Sequence, residues 1–147
     1  MNNLKITFLK DVSFEQFKDF LDSLDEERKT WSLDLQMHKD EKSFYKYKKS
    51  GVFIGLYENN IISLVDAYDF IYHGWIVISF VVKKEYQGQG IGTKMLVTIE
   101  DEARRRGIIK SCAKHYKDNI ASHKAFLKAG YREWKEENNL CWKIKEL

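Results

Sequence analysis

An apolar run of eight residues, followed by three closely spaced glycines and a helical pattern, constrains this chain more than any other feature. The run extends from Trp75 to Val82 and is interrupted only by Ser79. It is apolar at both alternating positions, which is typical of a strand buried on both faces. Gly88, Gly90 and Gly92 follow. A glycine-rich turn that opens a helix presents backbone N–H groups at the positive end of the helix dipole. The segment therefore predicts a buried strand, an anion-binding turn and a helix.

The remaining patterns predict one mixed domain over residues 1–147. Period-two runs indicate strands, and apolar residues three and four apart indicate helices. The predicted order is β-α-α-β-β-β-α-β-α-β-β, with residues 25–50 forming a loop that leads into the second helix. The predicted strands cover residues 6–9, 52–57, 61–70, 75–82 and 108–115, and a closing pair surrounds residues 138–139. The predicted helices begin at Ser13, before residues 44–47, at Ile91 and at Asn119, and Gly107 and Gly130 end the last two.

Composition excludes several classes of protein. The 147 residues contain no proline, which excludes a proline-rich linker, and the 44% hydrophobic content excludes disorder as the main state. Cys112 and Cys141 form neither a disulfide framework nor a metal-ligand cluster, so no metal is expected. The N-terminus lacks the apolar segment of a secretory signal, and no run approaches the ~20 apolar residues of a membrane span. We expect a cytoplasmic protein with no membrane partner.

Charge is distributed unevenly along the chain. Residues 1–74 contain 10 Lys and Arg against 13 Asp and Glu, whereas residues 75–147 contain 15 against 9. A basic C-terminal half suits a polyanionic small ligand or a nucleic acid, although a solvated lysine-rich surface gives the same count. The chain contains no recognised nucleic-acid-binding motif. A small polyanionic ligand is therefore the preferred interpretation, with no nucleic-acid partner.

Three kinds of phosphate-binding loop could explain the glycines. A Walker A loop ends in Gly-Lys-Ser/Thr, and here Gly92-Thr93-Lys94 has the opposite order. A dinucleotide fingerprint needs a third glycine where this chain has Thr93, and the preceding strands predict a meander instead of a βαβ unit. Both of these motifs fail. The third is Gln-x-x-Gly-x-Gly, which is present as Gln87, Gly90 and Gly92.

That pattern resembles the pyrophosphate loop of the GNAT superfamily of acyl-CoA-dependent N-acyltransferases. The resemblance covers residues 75–131, with Val82 at the position of the family's splayed-strand valine. Its second half is Asn119-x-x-Ser122-x-x-x-Phe126-x-Lys128-x-Gly130-Tyr131. The resemblance implies an α+β, three-layer fold. Its mixed, mostly antiparallel sheet would be flanked by helices and splayed between the fourth and fifth strands.

The same resemblance implies acetyl-CoA as the acyl donor. The loop amides would hold the pyrophosphate, and backbone groups of Phe80 and Val82 would pair with the pantetheine, with the Val82 N–H polarising the thioester carbonyl. The structural alternative for Asn119 is a simple helix cap, and for Phe126 a core position. The implied donor contacts are Phe80, Val82, Gln87, Gly88, Gln89, Gly90, Ile91, Gly92, Thr93, Asn119, Ser122 and Phe126.

The sequence departs from the family at the general acid. Many members have a tyrosine where this chain has Phe126, so the resemblance supplies no hydroxyl to protonate the leaving thiolate. Tyr116 is the preferred substitute, with Tyr131 and His115 as alternatives. Candidates for the base that removes the proton of the attacking ammonium are Asp66 and His73, with Asp69 and His38 as alternatives.

The predicted function is transfer of an acetyl group to a primary amine by direct attack in a ternary complex. The form of the second motif resembles members that acylate amino sugars, and also some that acylate protein N-termini. An amino sugar or other small amine is favoured; a protein N-terminus or lysine is an alternative. A non-catalytic acyl-CoA-binding or sensor module is a further alternative, which the missing tyrosine favours. The oligomeric state is expected to be a monomer or a homodimer.

Overall fold

A seven-stranded mixed sheet forms the centre of the computed structural model, which describes residues 3–48, 52–70 and 74–147. The strands are β1 (Lys5–Phe8), β2 (Phe53–Tyr57), β3 (Asn60–Phe70), β4 (Gly74–Val82), β5 (Lys110–Tyr116), β6 (Arg132–Glu137) and β7 (Leu140–Glu146). The helices are α1 (Phe14–Ser23), α2 (Glu26–Trp31), α3 (Leu33–Gln36), α4 (Glu41–Tyr47), α5 (Ile91–Arg105) and α6 (Ile120–Lys128). The order across the sheet is β1-β2-β3-β4-β5-β7-β6.

The sheet opens between β4 and β5, the one parallel pair among the described strands. Gly74 to Val77 pair with Lys110 to Ala113. Beyond that point β4 continues to Val82 and β5 to Tyr116 without pairing to each other. The two strands therefore leave a gap between their C-terminal ends. The predicted fold class is confirmed, including the splay between the fourth and fifth strands.

Helices cover both faces of the sheet, giving three layers. On one face, α5 and α6 pack against the strands through residues such as Met95, Ile99 and Phe126, which are fully buried. On the other face, the cluster formed by α1, α3 and α4 contains Phe17 and Phe44. That second helical layer covers the β1–β4 part of the sheet. Over β5, β7 and β6 the same face carries only a small cluster of Cys112, Ile144 and Trp142.

Local sequence signals fix several element ends. Ser13 and Gln16 form the predicted capping box at the start of α1, with the Gln16 N–H donating to Ser13 Oγ at 3.1 Å. Gly107 follows α5 with a φ of 75°. That left-handed conformation suits glycine and ends the helix as predicted. The closing hairpin turns at Asn138, whose φ is 55°.

Residues 25–50 differ from the prediction, which gave a loop and one helix. The structure has three short helices here, α2, α3 and α4. Each of these helices buries a single residue, Arg28, Leu35 and Phe44 respectively, whereas Leu33 and Met37 are exposed. One buried residue per helix is too few for a helical spacing to appear in the sequence. The predicted turn residues 50–51 and 72–73 lie outside the described residues.

The described helices include none that is both long and apolar enough to cross a membrane.

Candidate functional site

The N-terminus of α5 lies open, with no side chain capping it. Gly90 occupies the N-cap position with a φ of 79°, and no side-chain hydrogen bond caps the helix there. A Cβ atom added to Gly88 or Gly90 would meet nothing within 4 Å. The first N–H groups of α5, those of residues 91–93, thus face open space at the positive end of a 15-residue helix. Such an end favours an anion.

The edge of β4 beyond the splay presents free backbone groups. The Lys83 N–H donates to the Ile62 carbonyl at 2.9 Å, and Val82 and Phe80 are paired in register with Ser63 and Val65. Antiparallel pairs alternate between hydrogen-bonded and non-hydrogen-bonded positions. The backbone groups of Phe80 and Val82 therefore point away from β3 and into the gap. The Gln87 side-chain amide lies 3.5 Å from the Val82 carbonyl.

The helix end and the strand edge meet at one cavity of about 450 Å³, which we call the first cavity. Ten of the twelve predicted donor contacts line it. These are Phe80, Val82, Gln87, Gly88, Gly90, Ile91, Gly92, Thr93, Asn119 and Ser122. Gln89 is exposed outside this lining, and Phe126 lies deeper. Arg28, Lys124 and Lys128 also line the cavity, and its described lining contains no carboxylate, so its wall is basic.

The start of α6 forms the wall that faces the strand edge. Asn119 Oδ1 accepts a hydrogen bond from the Ser122 N–H at 3.1 Å, so Asn119 is a helix cap as well as a lining residue. Phe126 is fully buried, with its ring centroid 5.2 Å from those of Phe80 and Tyr131. This residue therefore belongs to the core and brings no polar group to the first cavity, although it lines a second cavity.

A second cavity of about 340 Å³ adjoins the first through Trp31, Phe80, Asn119 and Ser122, which line both. It occupies the gap between β4 and β5. On the β4 wall, Asp34 of α3 accepts a hydrogen bond from the Ser79 hydroxyl at 2.8 Å.

The opposite wall of the second cavity comes from β5 and β7. It carries Lys114, His115, Tyr116 and Leu140. The second cavity thus has a carboxylate, that of Asp34, on one wall and an ammonium, that of Lys114, on the other.

Asp66, one of the predicted bases, is not part of the lining of the second cavity, although it pairs in register with Ser79, which is. It is 5% exposed and accepts a hydrogen bond from the Tyr47 hydroxyl at 2.7 Å. Burial raises the pKa of Asp66 above its usual range, the hydrogen bond from Tyr47 opposes this, and the charge of Asp34 adds to it. His38 stacks on Tyr47, and burial lowers its pKa. His73 and the side chain of Asp69 lie outside the described residues.

The three candidates for the acid have different surroundings. Tyr116 is 38% exposed at the rim of the second cavity. His115 has both ring nitrogens occupied, since Nδ1 lies 2.8 Å from the Tyr116 carbonyl, to which it donates, and Nε2 accepts from buried Lys143. Burial lowers the pKa of His115, which favours this neutral form. Tyr131 is buried against Ser111, away from both cavities.

Sequence reasoning missed several residues that line the two cavities. They are Arg28, Asp34, Lys114, Lys124 and Lys128. Arg28 and Asp34 come from the segment whose helices were not predicted, so no periodicity pointed to them. Lys128 was part of the recognised second motif, but its contribution to a cavity wall depends on how α6 lies against β4. Groups of three or more His, Cys, Asp or Glu side chains able to hold a metal do not occur in the described part of the chain.

Similarity to known proteins bears on the family and the fold of this chain. The family model described as the acetyltransferase (GNAT) family matches residues 17–131. Curated proteins give no match to the sequence. Among solved structures, the PaiA N-acetyltransferase from Thermoplasma acidophilum in complex with coenzyme A superposes with a TM-score of 0.81 at 12% identity, covering 98% of this chain and 99% of that one.

Two further solved structures are similar over nearly the whole chain. A GNAT family acetyltransferase from Elizabethkingia anophelis with acetyl-CoA bound has a TM-score of 0.70 at 16% identity and covers 100% of both chains. The ribosomal-protein-S18-alanine N-acetyltransferase from Escherichia coli has a TM-score of 0.72 at 14% identity, covering 97% of this chain and 93% of that one. At these identities the likeness establishes the fold.

Proposed function

The chain belongs to the acetyltransferase (GNAT) family, and from this we propose that it transfers the acetyl group of acetyl-CoA to a primary amine by direct attack in a ternary complex. The proposal rests on two features that meet at the first cavity. These are the uncapped start of α5 and the unpaired edge of β4. One suits a pyrophosphate and the other suits an extended amide chain, and coenzyme A contains both.

The donor would extend along the first cavity toward the gap between β4 and β5. The N–H groups at the start of α5 would hold the pyrophosphate, with Lys124 and Lys128 supplying positive charge. The backbone groups of Phe80 and Val82 would hydrogen-bond the pantetheine amides, as an added strand does. The Val82 N–H would also stabilise the oxyanion that develops on the thioester carbonyl.

The acceptor would enter the second cavity from the opposite side of the gap. Its ammonium would bind the Asp34 carboxylate, which receives the proton directly or through water. The freed amine nitrogen then bonds to the thioester carbon and loses a second proton to water, the carbon–sulfur bond breaks, and the thiolate accepts a proton. The Tyr116 hydroxyl, on the rim of the second cavity, would supply this proton. A thiolate, with a pKa of about 8 to 9, also leaves readily without a donor.

Replacing Gly88 by Glu tests the donor site. The carboxylate would occupy the open space in front of the helix and repel the pyrophosphate. Acetyl-CoA at 100 times its Kd should stabilise the wild-type chain by about 2.7 kcal/mol, a rise in Tm of about 5 to 10 °C. We expect G88E to lose this shift, as measured by thermal unfolding with acetyl-CoA, CoA and NADH.

Gly107→Glu is the matched control for that experiment. Gly107 has a φ of 75° against 78° for Gly88, and a Cβ atom at either position meets nothing within 4 Å. Both variants therefore carry the same backbone strain, of about 1 to 2 kcal/mol. G107E should keep the acetyl-CoA shift. Two results would contradict the assignment of the donor site. One is an equal rise in Tm with acetyl-CoA in the two variants, and the other is no rise in the wild-type Tm with either acetyl-CoA or CoA.

A non-catalytic acyl-CoA-binding module is the second candidate function. The observation that favours it is the buried Phe126, which leaves the site without the hydroxyl that many relatives have at this position. The two functions differ in turnover. A panel of amino sugars, polyamines and peptides with free N-termini, assayed with radiolabelled acetyl-CoA, should give at least one acetylated product. Binding of acetyl-CoA without any acetylated amine would favour the module.

A further inference from the structure

A row of three side chains crosses β5, β7 and β6 on the sheet face that no helix covers. Lys114 pairs in register with Trp142, and Trp142 pairs with Lys135. Residues directly opposite each other in antiparallel strands point to the same face. The ammonium groups of Lys114 and Lys135 lie over the Trp142 ring, 5.7 Å and 4.6 Å from its centroid. The row therefore places two positive charges on either side of one indole.

Neither of these charges has an acidic partner among the described residues. No carboxylate of that part of the chain lies within 4.0 Å of either ammonium, although Arg132 on the same face is paired with Glu146. The indole N–H of Trp142 is buried and has no hydrogen-bond partner in the described part of the chain. An unsatisfied buried donor is unfavourable, and so is the proximity of two like charges. An anion bound between the two ammonium groups would relieve the repulsion between them.

The row is continuous with the second cavity, because Lys114 belongs to both. Asp34 lies on the opposite wall with Ser79, and Tyr68 and Tyr116 line the space near them. The cavity therefore has one carboxylate, that of Asp34, on its β4 side and one ammonium, that of Lys114, on its β5 side, and Lys135 lies next to Lys114 across Trp142, outside the cavity lining. A ligand bridging the two walls needs a cation at one end and an anion at the other.

We propose that the acceptor is an amine that also carries an anionic group, a carboxylate or a phosphate. The ammonium binds Asp34, and the anion binds Lys114 and Lys135 beside Trp142. This inference rests on the proposed function, since it names the acceptor class of that site. The two walls then have different roles. Asp34 recognises the amine in every acceptor, whereas the lysines distinguish anionic acceptors from neutral ones.

Matched pairs of amines provide the test. The pairs are ethanolamine with phosphoethanolamine, glucosamine with glucosamine 6-phosphate, and glycine amide with glycine, so both phosphate and carboxylate are sampled. Two quantities are measured with the full chain: kcat/KM with acetyl-CoA, and the Tm shift that each amine produces in the presence of CoA. We expect the charged member of at least one pair to exceed its neutral partner by tenfold or more in kcat/KM and to give the larger Tm shift.

The K114Q/K135Q double variant connects that preference to the row. It should lower kcat/KM for the anionic member at least tenfold, while the neutral member and the acetyl-CoA Kd stay unchanged. The matched control is K10Q/K48Q, because Lys10 and Lys48 also lie over aromatic rings but line neither cavity. Asp34→Asn should lower kcat/KM for both members of a pair by the same factor, leaving their ratio unchanged.

Several results would overturn the proposal. They are equal kcat/KM values and equal Tm shifts within every pair, a preference for neutral members, or a preference that survives in K114Q/K135Q. Failure of the proposed function is recognised separately, by the absence of an acetyl-CoA shift in the wild-type chain. The amine-dependent Tm shift can still be measured in that case, and a shift from anionic amines that K114Q/K135Q abolishes would support the acceptor site on its own.

Discussion

Asp22 connects two elements that are distant in sequence. It lies 2.8 Å from Lys18, one turn earlier in α1, and 2.6 Å from Lys39, which precedes α4. Hydrogen bonds from these two lysines lower the pKa of Asp22 from 3.8 to about 2. The side chain is 43% exposed, so solvent screens much of this interaction. A lowered carboxyl pKa stabilises the fold above pH 3.8, and this stabilisation is lost as the pH falls toward 2.

We expect Asp22→Asn to reduce the free energy of unfolding by about 0.5 to 1 kcal/mol at pH 7 and by less at pH 3. Urea denaturation of both chains at the two pH values measures the difference. Asp19→Asn is the control, because Asp19 lies on the same helix without an ion pair among the described residues. If Asp22→Asn loses as much unfolding free energy at pH 3 as at pH 7, the charge of Asp22 is not the cause of the loss.

His115 shows how a local pattern can suggest a role that its surroundings disfavour. A histidine at the end of a strand beside the gap is a reasonable proton donor by sequence. In the structure, Lys143 and the Tyr116 carbonyl occupy its two nitrogens. The imidazole therefore holds the end of β5 in place, and Tyr116 is the side chain that reaches the rim.

At the scale of one element, α6 combines a stability signal with a candidate ligand contact at Asn119. The side chain caps the helix and also lines both cavities. Asn119→Ala should cost about 1 kcal/mol of stability through loss of the cap. Asn119→Asp keeps a good cap but adds a negative charge beside the basic first cavity. We expect N119D to retain wild-type stability within about 0.5 kcal/mol and to raise the acetyl-CoA Kd severalfold.

Ser13→Ala is the matched control for the Asn119 variants. It removes a cap of the same kind from α1, which does not border the first cavity. S13A should reduce the free energy of unfolding by about 1 kcal/mol, with no change in the acetyl-CoA Kd. Urea denaturation and isothermal titration measure the two quantities. An unchanged Kd in N119D would mean that Asn119 acts as a helix cap alone.

Across the whole molecule, a buried hydrogen-bonded group connects β4, β5 and the end of the α6 segment within the part of the sheet where β4 and β5 are still paired. The Trp75 indole N–H of β4 donates to the Ser111 hydroxyl of β5 at 3.0 Å. That hydroxyl shares a second hydrogen bond with Tyr131, which follows α6. Burial raises the pKa of Tyr131, so its hydroxyl stays protonated. Both strands and the end of the α6 segment thus depend on one serine.

Ser111→Ala should destabilise the chain by about 2 to 4 kcal/mol, because it leaves two buried polar groups unpaired. Tyr131→Phe should cost only about 1 kcal/mol, because Trp75 and Ser111 keep their hydrogen bond. Urea denaturation at neutral pH compares the two variants. Equal losses, or a loss below about 1 kcal/mol in S111A, would contradict the shared role of this hydroxyl.

The order of elements, the glycine loop and the helix caps could be predicted from the sequence because each is a local signal. A capping box depends on residues three apart, and a left-handed turn depends on one glycine. The segment of α2 and α3 could not be predicted in the same way. Its helices are six and four residues long, too short for a periodicity to emerge. Asp34 was missed for this reason.

By itself, the sequence determined the family, the donor loop and most of the residues around the first cavity, since these lie within one continuous strand, turn and helix. Only the tertiary structure decided what faces the donor. Asp34 and Lys114 lie 80 positions apart in the chain, and the gap between β4 and β5 sets them on opposite walls. The row of Lys114, Trp142 and Lys135 depends on the registers of two strand pairs. Register follows from packing and turn geometry over the whole sheet, which no local pattern encodes.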